Sequence, residues 1–140
     1  MKYLLALATV VGLLLLVNST ASAGAKDGKI RWSTNKDIQN GKAPIKVPAA
    51  TAADKPGMVE LKVVYVANKL AEFFVIGDGD TDIDVVVFDA KGNKVAEDVD
   101  PSDYGSDLCM CRWTPREEQE YTIRIFNHGK VYNLCQAGTN

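Results

Sequence analysis

Residues 71–93 read AEFFVIGDGDTDIDVVVFDAKGN: two short runs dense in Val, Ile and Phe, held apart by an acidic, glycine-bearing turn and followed at once by a second turn. Ala71 to Ile76 and Ile83 to Phe88 have the length and composition of strands, because β-branched and aromatic side chains fit a pleated, half-buried surface. Ala90-Lys91-Gly92-Asn93 is a compact hairpin signal in which Gly92 supplies the positive φ that such turns need. A chain that reverses direction twice in so short a stretch must build a β-structure.

The same rhythm continues on both sides. Met58 to Ala67 sets Leu61, Val63 and Tyr65 on one face and Glu60 and Lys62 on the other, and Asn68-Lys69 turns it into the run ending at Ile76. Lys94 to Val99 returns as a strand, residues 100–107 form a polar loop, and Leu108 to Trp113 is a further strand that Thr114-Pro115 ends. Glu120 to Phe126 alternates Tyr121, Ile123 and Ile125 against Thr122 and Arg124, and residues 127–130 turn the chain into Val131 to Cys135. Strands at intervals of about ten residues, without a helical period or internal repeat, predict an all-β fold: a jelly-roll-like β-sandwich of about seven to eight strands.

Three segments are expected. Lys2, the apolar run Leu4 to Val17 and the small-residue end Asn18 to Ala23 predict a signal peptide over residues 1–23. The run is too short for a membrane span and no second apolar stretch of ~20 residues follows, so no span is expected after cleavage. Residues 24–57 carry seven Lys or Arg against three Asp and read as an irregular basic arm, interrupted by Pro44, Pro48 and Pro56, with an edge strand near Ile30 to Trp32. Residues 58–140 carry eight basic against fifteen acidic side chains and form the sandwich body. An acidic body argues against a nucleic-acid partner, and the leader places the mature chain in the periplasm or outside the cell.

Asp78, Asp80, Asp82 and Asp84 fall at alternate positions, and such crowding calls for hydrogen-bond donors or a cation. Asp78, Asp80 and Asp82 reproduce the opening of a D-x-D-x-D calcium loop, but Ile83 and Asp89 stand where an EF-hand requires Gly and a bidentate Glu. Calcium held by Asp78, Asp80, Asp82 and Asp84, with Asp98 or Asp100 recruited across strands, and structural use of the same carboxylates both remain open. In the structural reading Asp82 and Asp84 lead into a buried Val86 and Phe88 face and bond backbone N–H groups there.

Cys109, Cys111 and Cys135 are an odd set for an exported chain. Cys109 and Cys111 share a strand face with Trp113 and are badly placed to bond each other, so the expected disulfide joins Cys135 with Cys109 or Cys111. A Cys₃His zinc set with His128 lacks the usual C-x₂-C spacing, and a Cys135–His128 nucleophile pair lacks an orienting group. G-x-S-x-G, HExxH and a phosphate loop are all missing from the sequence. The chain therefore reads as non-catalytic. Among the aromatic residues, Trp113 and Tyr121 fit inward positions, and Tyr104 is the surface candidate for a sugar contact.

The run GDGDTDIDVVVFDAKGNKVAEDVD, the Cys/Trp strand ending RWTP, EYTIRIFNHGK and the C-terminal VYNLCQAGTN together resemble the bacterial pre-peptidase C-terminal domain over about Met58 to Asn140. That resemblance implies a jelly-roll-like sandwich of a kind appended to secreted enzymes, some relatives of which bind calcium or attach their enzyme to an insoluble polymer. The expected role is an exported binding or structural module whose partner is a protein or a polysaccharide. The alternative is a secreted accessory factor, a chaperone or inhibitor, for a separately encoded hydrolase.

Overall fold

The structure, a computed structural model, describes residues 31–32, 44–99 and 108–140. The residues expected to form a signal peptide, most of the expected basic arm, and residues 100–107 with Tyr104 lie outside them. The described residues contain no helix and nine strands: β1 (Arg31–Trp32), β2 (Ile45–Val47), β3 (Gly57–Tyr65), β4 (Ala71–Ile76), β5 (Ile83–Phe88), β6 (Lys94–Asp98), β7 (Leu108–Trp113), β8 (Gln119–Asn127) and β9 (Asn133–Thr139). They form two antiparallel sheets, ordered β1-β3-β8-β5-β6 and β2-β9-β4-β7.

The pairings nest. β5 pairs β6, β4 pairs β7, β3 pairs β8 and β2 pairs β9, so the chain is one long antiparallel ribbon doubled back at the hairpin between β5 and β6. Wrapping the ribbon brings β5 against β8 and β4 against β9 and closes it into two sheets. That is a jelly-roll sandwich, with β1 as a short addition at the β3 edge.

Period-two alternation decides which side chains meet inside. Leu61, Val63, Tyr65, Phe73, Val75, Val85, Val87, Ile123 and Ile125 are fully buried between the sheets. Each such side chain contributes roughly 1.5–3 kcal/mol of burial. Trp113 packs edge-on against Tyr65, with ring centroids 4.7 Å apart, and tilted against Tyr121 at 5.4 Å. β2 lies within the stretch that reads as an irregular arm, yet Ile45 and Val47 are buried and pair with Cys135 and Asn133. Three residues between prolines are too few to display an alternation, so only the partner strand reveals β2 as part of the sandwich.

Turn chemistry agrees with the backbone. Asn68 adopts φ 59° and Gly92 φ 83°, the left-handed values that Asn and Gly tolerate. The nested topology gathers the loops at two ends. Residues 48–56, 77–82 and 128–132 share one end, tied by Ala50 N to Gly129 O at 2.8 Å and His128 N to Asp82 O at 3.0 Å. Residues 66–70, 89–93 and 114–118 share the other, tied by Asn68 N to Pro115 O at 2.8 Å.

Candidate functional sites on the sandwich

The acidic turn between β4 and β5 is held largely by its neighbours. Asp78 accepts from Leu134 N at 2.8 Å and from Asp80 N at 3.3 Å, and its own N–H donates to Asn133 Oδ1. The fully buried Asn133 also donates from Nδ2 to Thr81 Oγ1 at 2.9 Å and accepts from the Cys135 thiol at 3.0 Å. Asn127, equally buried, donates to Pro48 O and Val131 O and accepts from Gly129 N, joining two loops of the same end. Close approach at Gly129 leaves no room for a side chain, because a Cβ there would lie 2.0 Å from Thr81 Cγ2. Asn127 and Asn133 were not singled out by the sequence reading; their signal was a lone amide residue at each end of an apolar alternation.

The four aspartates do different work. Asp78 is a turn anchor, and Asp80 is exposed. Asp82 has a buried Oδ1 with no hydrogen-bond partner among the described residues. Asp84 points outward, its Oδ2 2.8 Å from His128 Nε2. The expectation that Asp82 and Asp84 bond backbone N–H groups on a buried Val86 and Phe88 face is corrected. Val86 and Phe88 lie on the half-buried outer side, the inner side being Ile83, Val85 and Val87. Burial pushes the Asp84 carboxyl above the ordinary carboxylate range, the His128 hydrogen bond and charge oppose that, and the neighbouring Asp82 and Asp98 add to it. Asp98 itself accepts from Met110 N at 2.7 Å across to β7. Among the described residues no three acidic, His or Cys side chains gather as a metal cage. Of the expected calcium set, both Asp78 oxygens are engaged by amides and Asp84 Oδ2 by His128, while Asp82 Oδ1 is buried without a partner among the described residues.

The cysteines also need correcting. All three are buried and none is in a disulfide. Cys135 sits on β9 and Cys109 and Cys111 on β7, with β4 running between them. Two strand spacings are ~9.5 Å, beyond the ~7 Å Cα separation that a disulfide tolerates. The thiols of Cys109 and Cys111 instead point at Ile83 O and Val85 O of the opposite sheet. His128 is engaged on the outer side with Asp84, while Cys135 faces the core with Asn133, so neither a Cys₃His centre nor a Cys135–His128 pair is assembled.

The two outer faces differ in kind. On the five-stranded sheet, Arg124 meets Glu60 at 3.1 Å and lies over the Phe88 ring, and Lys62 meets Glu120 at 3.2 Å. On the four-stranded sheet, Ile76 is 45% exposed, Leu108 42%, Leu134 40% and Met110 37%. Register makes the first two and Met110 neighbours, since Ile76 pairs Leu108 and Phe74 pairs both Met110 and Gly138, while Leu134 pairs Lys46 and Gln136 stands beside Ile76. The Phe74 ring lies over Gly138, where a Cβ would come within 2.3 Å of it. Arg112 with Glu72, and Lys46 over the Tyr132 ring, lie at the margins.

No helix among the described residues is long and apolar enough to cross a membrane. Comparison with known proteins adds no relative: no family model matches the chain, and no curated protein matches it.

Proposed function

We propose that this chain is an exported, non-catalytic β-sandwich module of the pre-peptidase C-terminal kind, and that it works by seating the outer face of its four-stranded sheet on a protein. The jelly-roll topology supports the family likeness. One observation carries the function: neighbouring Ile76, Leu108 and Met110, with Leu134 further along β9 on the same sheet, are left in water while the other sheet's outer face is laced with ion pairs. An apolar surface rimmed by charged groups marks an interaction site more often than a solvated face. It also favours the accessory-factor reading over a stand-alone structural role, because a chaperone or inhibitor needs a protein-facing surface.

The test is native mass spectrometry of the protein recovered from its own envelope fraction, beside an Ile76→Asp, Leu108→Asp variant. The account expects the wild type to retain a partner mass and the variant, with an unchanged circular dichroism spectrum, to lose it. Equal retention by both contradicts the assignment of the face.

A further inference from the structure

Three of the side chains that the four-stranded sheet turns outward are charged: Lys46 on β2, Glu72 on β4 and Arg112 on β7. Glu72 is held by Arg112 at 2.7 Å, and Lys46 lies over the Tyr132 ring. The strands of this face therefore present two cations against one carboxylate, on a body whose residues 58–140 hold fifteen acidic against eight basic side chains. Two such acidic bodies repel each other in water. The repulsion is least where they meet across a face without surplus carboxylates, so charge singles out this face for contact between copies of the chain.

The centre of the face has the apolar surface to drive such a contact. Ile76 pairs Leu108 across β4 and β7, Met110 pairs Phe74 on the next outward row, and Ile76, Leu108 and Met110 are all substantially exposed. A two-fold axis through this patch lays it on the same patch of a second copy, sheet on sheet at about 10 Å. Such a contact is self-complementary and closes at two copies. Its size sets its strength. Four strands of about six residues cover roughly 19 by 20 Å, or about 400 Å² on each copy, where a standard interface buries about 800 Å² per partner. The pairing is therefore weak and reversible.

We propose that, when its protein partner is absent, the chain covers this face with a second copy of itself in a two-fold dimer, and that partner and second copy compete for the face. The inference rests on the assignment of the face to protein docking and adds its regulation. At high local concentration the apolar side chains stay out of water until a partner displaces the copy. The partner's apparent affinity then scales with the fraction of chains whose face is uncovered. At low micromolar concentration the purified chain is a monomer with the face open.

The experiment is sedimentation velocity of the purified protein from about 5 μM to about 500 μM, the range in which a weak interface assembles. The expected result is a shift from monomer to dimer with rising concentration and nothing larger, with at least as much dimer in about 1 M salt, where surface charge is screened. Ile76→Asp and Met110→Asp should stay monomeric throughout with unchanged circular dichroism spectra, and Met58→Asp, on the outer face of the other sheet, should dimerise like the wild type. Hydroxyl-radical labelling of Met110 in the wild type needs no variant and should fall as concentration rises, while that of Met58 holds. A chain that stays monomeric to the highest concentration, assembly that runs past the dimer or is lost in salt, or dimerisation abolished by Met58→Asp and not by Ile76→Asp would each overturn the proposal. None of these outcomes decides the protein-seating reading, which falls only if the wild type and the Ile76→Asp, Leu108→Asp variant retain a partner from the envelope fraction equally.

Discussion

Asn133 Nδ2 donates to Thr81 Oγ1 at 2.9 Å, so a side chain with no exposed surface on β9 holds the tip of the acidic turn that precedes β5. Its Oδ1 serves Asp78 N and the Cys135 thiol as well. Asn133→Ala strands several of these groups together and is expected to destabilise the fold by about 2–4 kcal/mol in urea unfolding. Gln136→Ala, exposed on the same strand, should stay within about 0.5 kcal/mol. Equal effects would deny Asn133 its role.

The pairing of Asp84 with His128 has a pH signature. The folded state raises the Asp84 carboxyl, chiefly by burial and against the pull of His128. The folded state therefore binds this proton more readily than the unfolded chain, and stability from Asp84 falls as pH rises from the ordinary carboxylate value through the raised one. An NMR titration of the Asp84 carboxyl carbon should find a midpoint above the ordinary range, and a higher one in His128→Asn. A midpoint at or below the ordinary value contradicts this, as does one that His128→Asn leaves in place.

Asp78 is expected to act through amides and not through a cation. Asp78→Asn removes the charge that receives Leu134 N at 2.8 Å and should cost about 1–3 kcal/mol, that of a hydrogen bond to a charged group. Calcium at millimolar levels should raise the melting temperature no more than magnesium does at equal ionic strength. A calcium-specific rise, lost in Asp80→Asn or Asp82→Asn, would restore the calcium reading.

Much of the fold was legible because period-two alternation is a local signal. Leu61, Val63 and Tyr65, and Tyr121, Ile123 and Ile125, point inward as their spacing predicts. β5 begins and ends at Ile83 and Phe88, where Asp82 and Asp89 bound the run. What failed was non-local. β2 is three residues long and gains its meaning from β9. The inward face of β5 depends on which parity its partners impose, so Asp84 was assigned to the wrong side. Strand order places β4 between β7 and β9, and no spacing of cysteines in the sequence reveals that.

The thiols follow from that order. Alkylation of the unfolded protein without reductant should label Cys109, Cys111 and Cys135 alike. In the native protein Cys111 should react slowly, because burial, helped by Asp98 and Glu97, pushes its thiol up to about 12. A single labelled cysteine would mean that a disulfide forms and that β4 does not separate β7 from β9 in the oxidised protein.

The protein-facing sheet is tested most directly by hydroxyl-radical footprinting of the protein in its native envelope fraction against the purified chain. Met110, 37% exposed and readily oxidised, is the reporter, with Ile76 and Leu108 beside it and Leu134 further along the same sheet. The account predicts that these four are protected in the envelope fraction and reactive when purified, while Met58 on the five-stranded sheet, 43% exposed, reacts equally in both. Equal reactivity of Met110 in the two preparations, or protection confined to Met58, would contradict it.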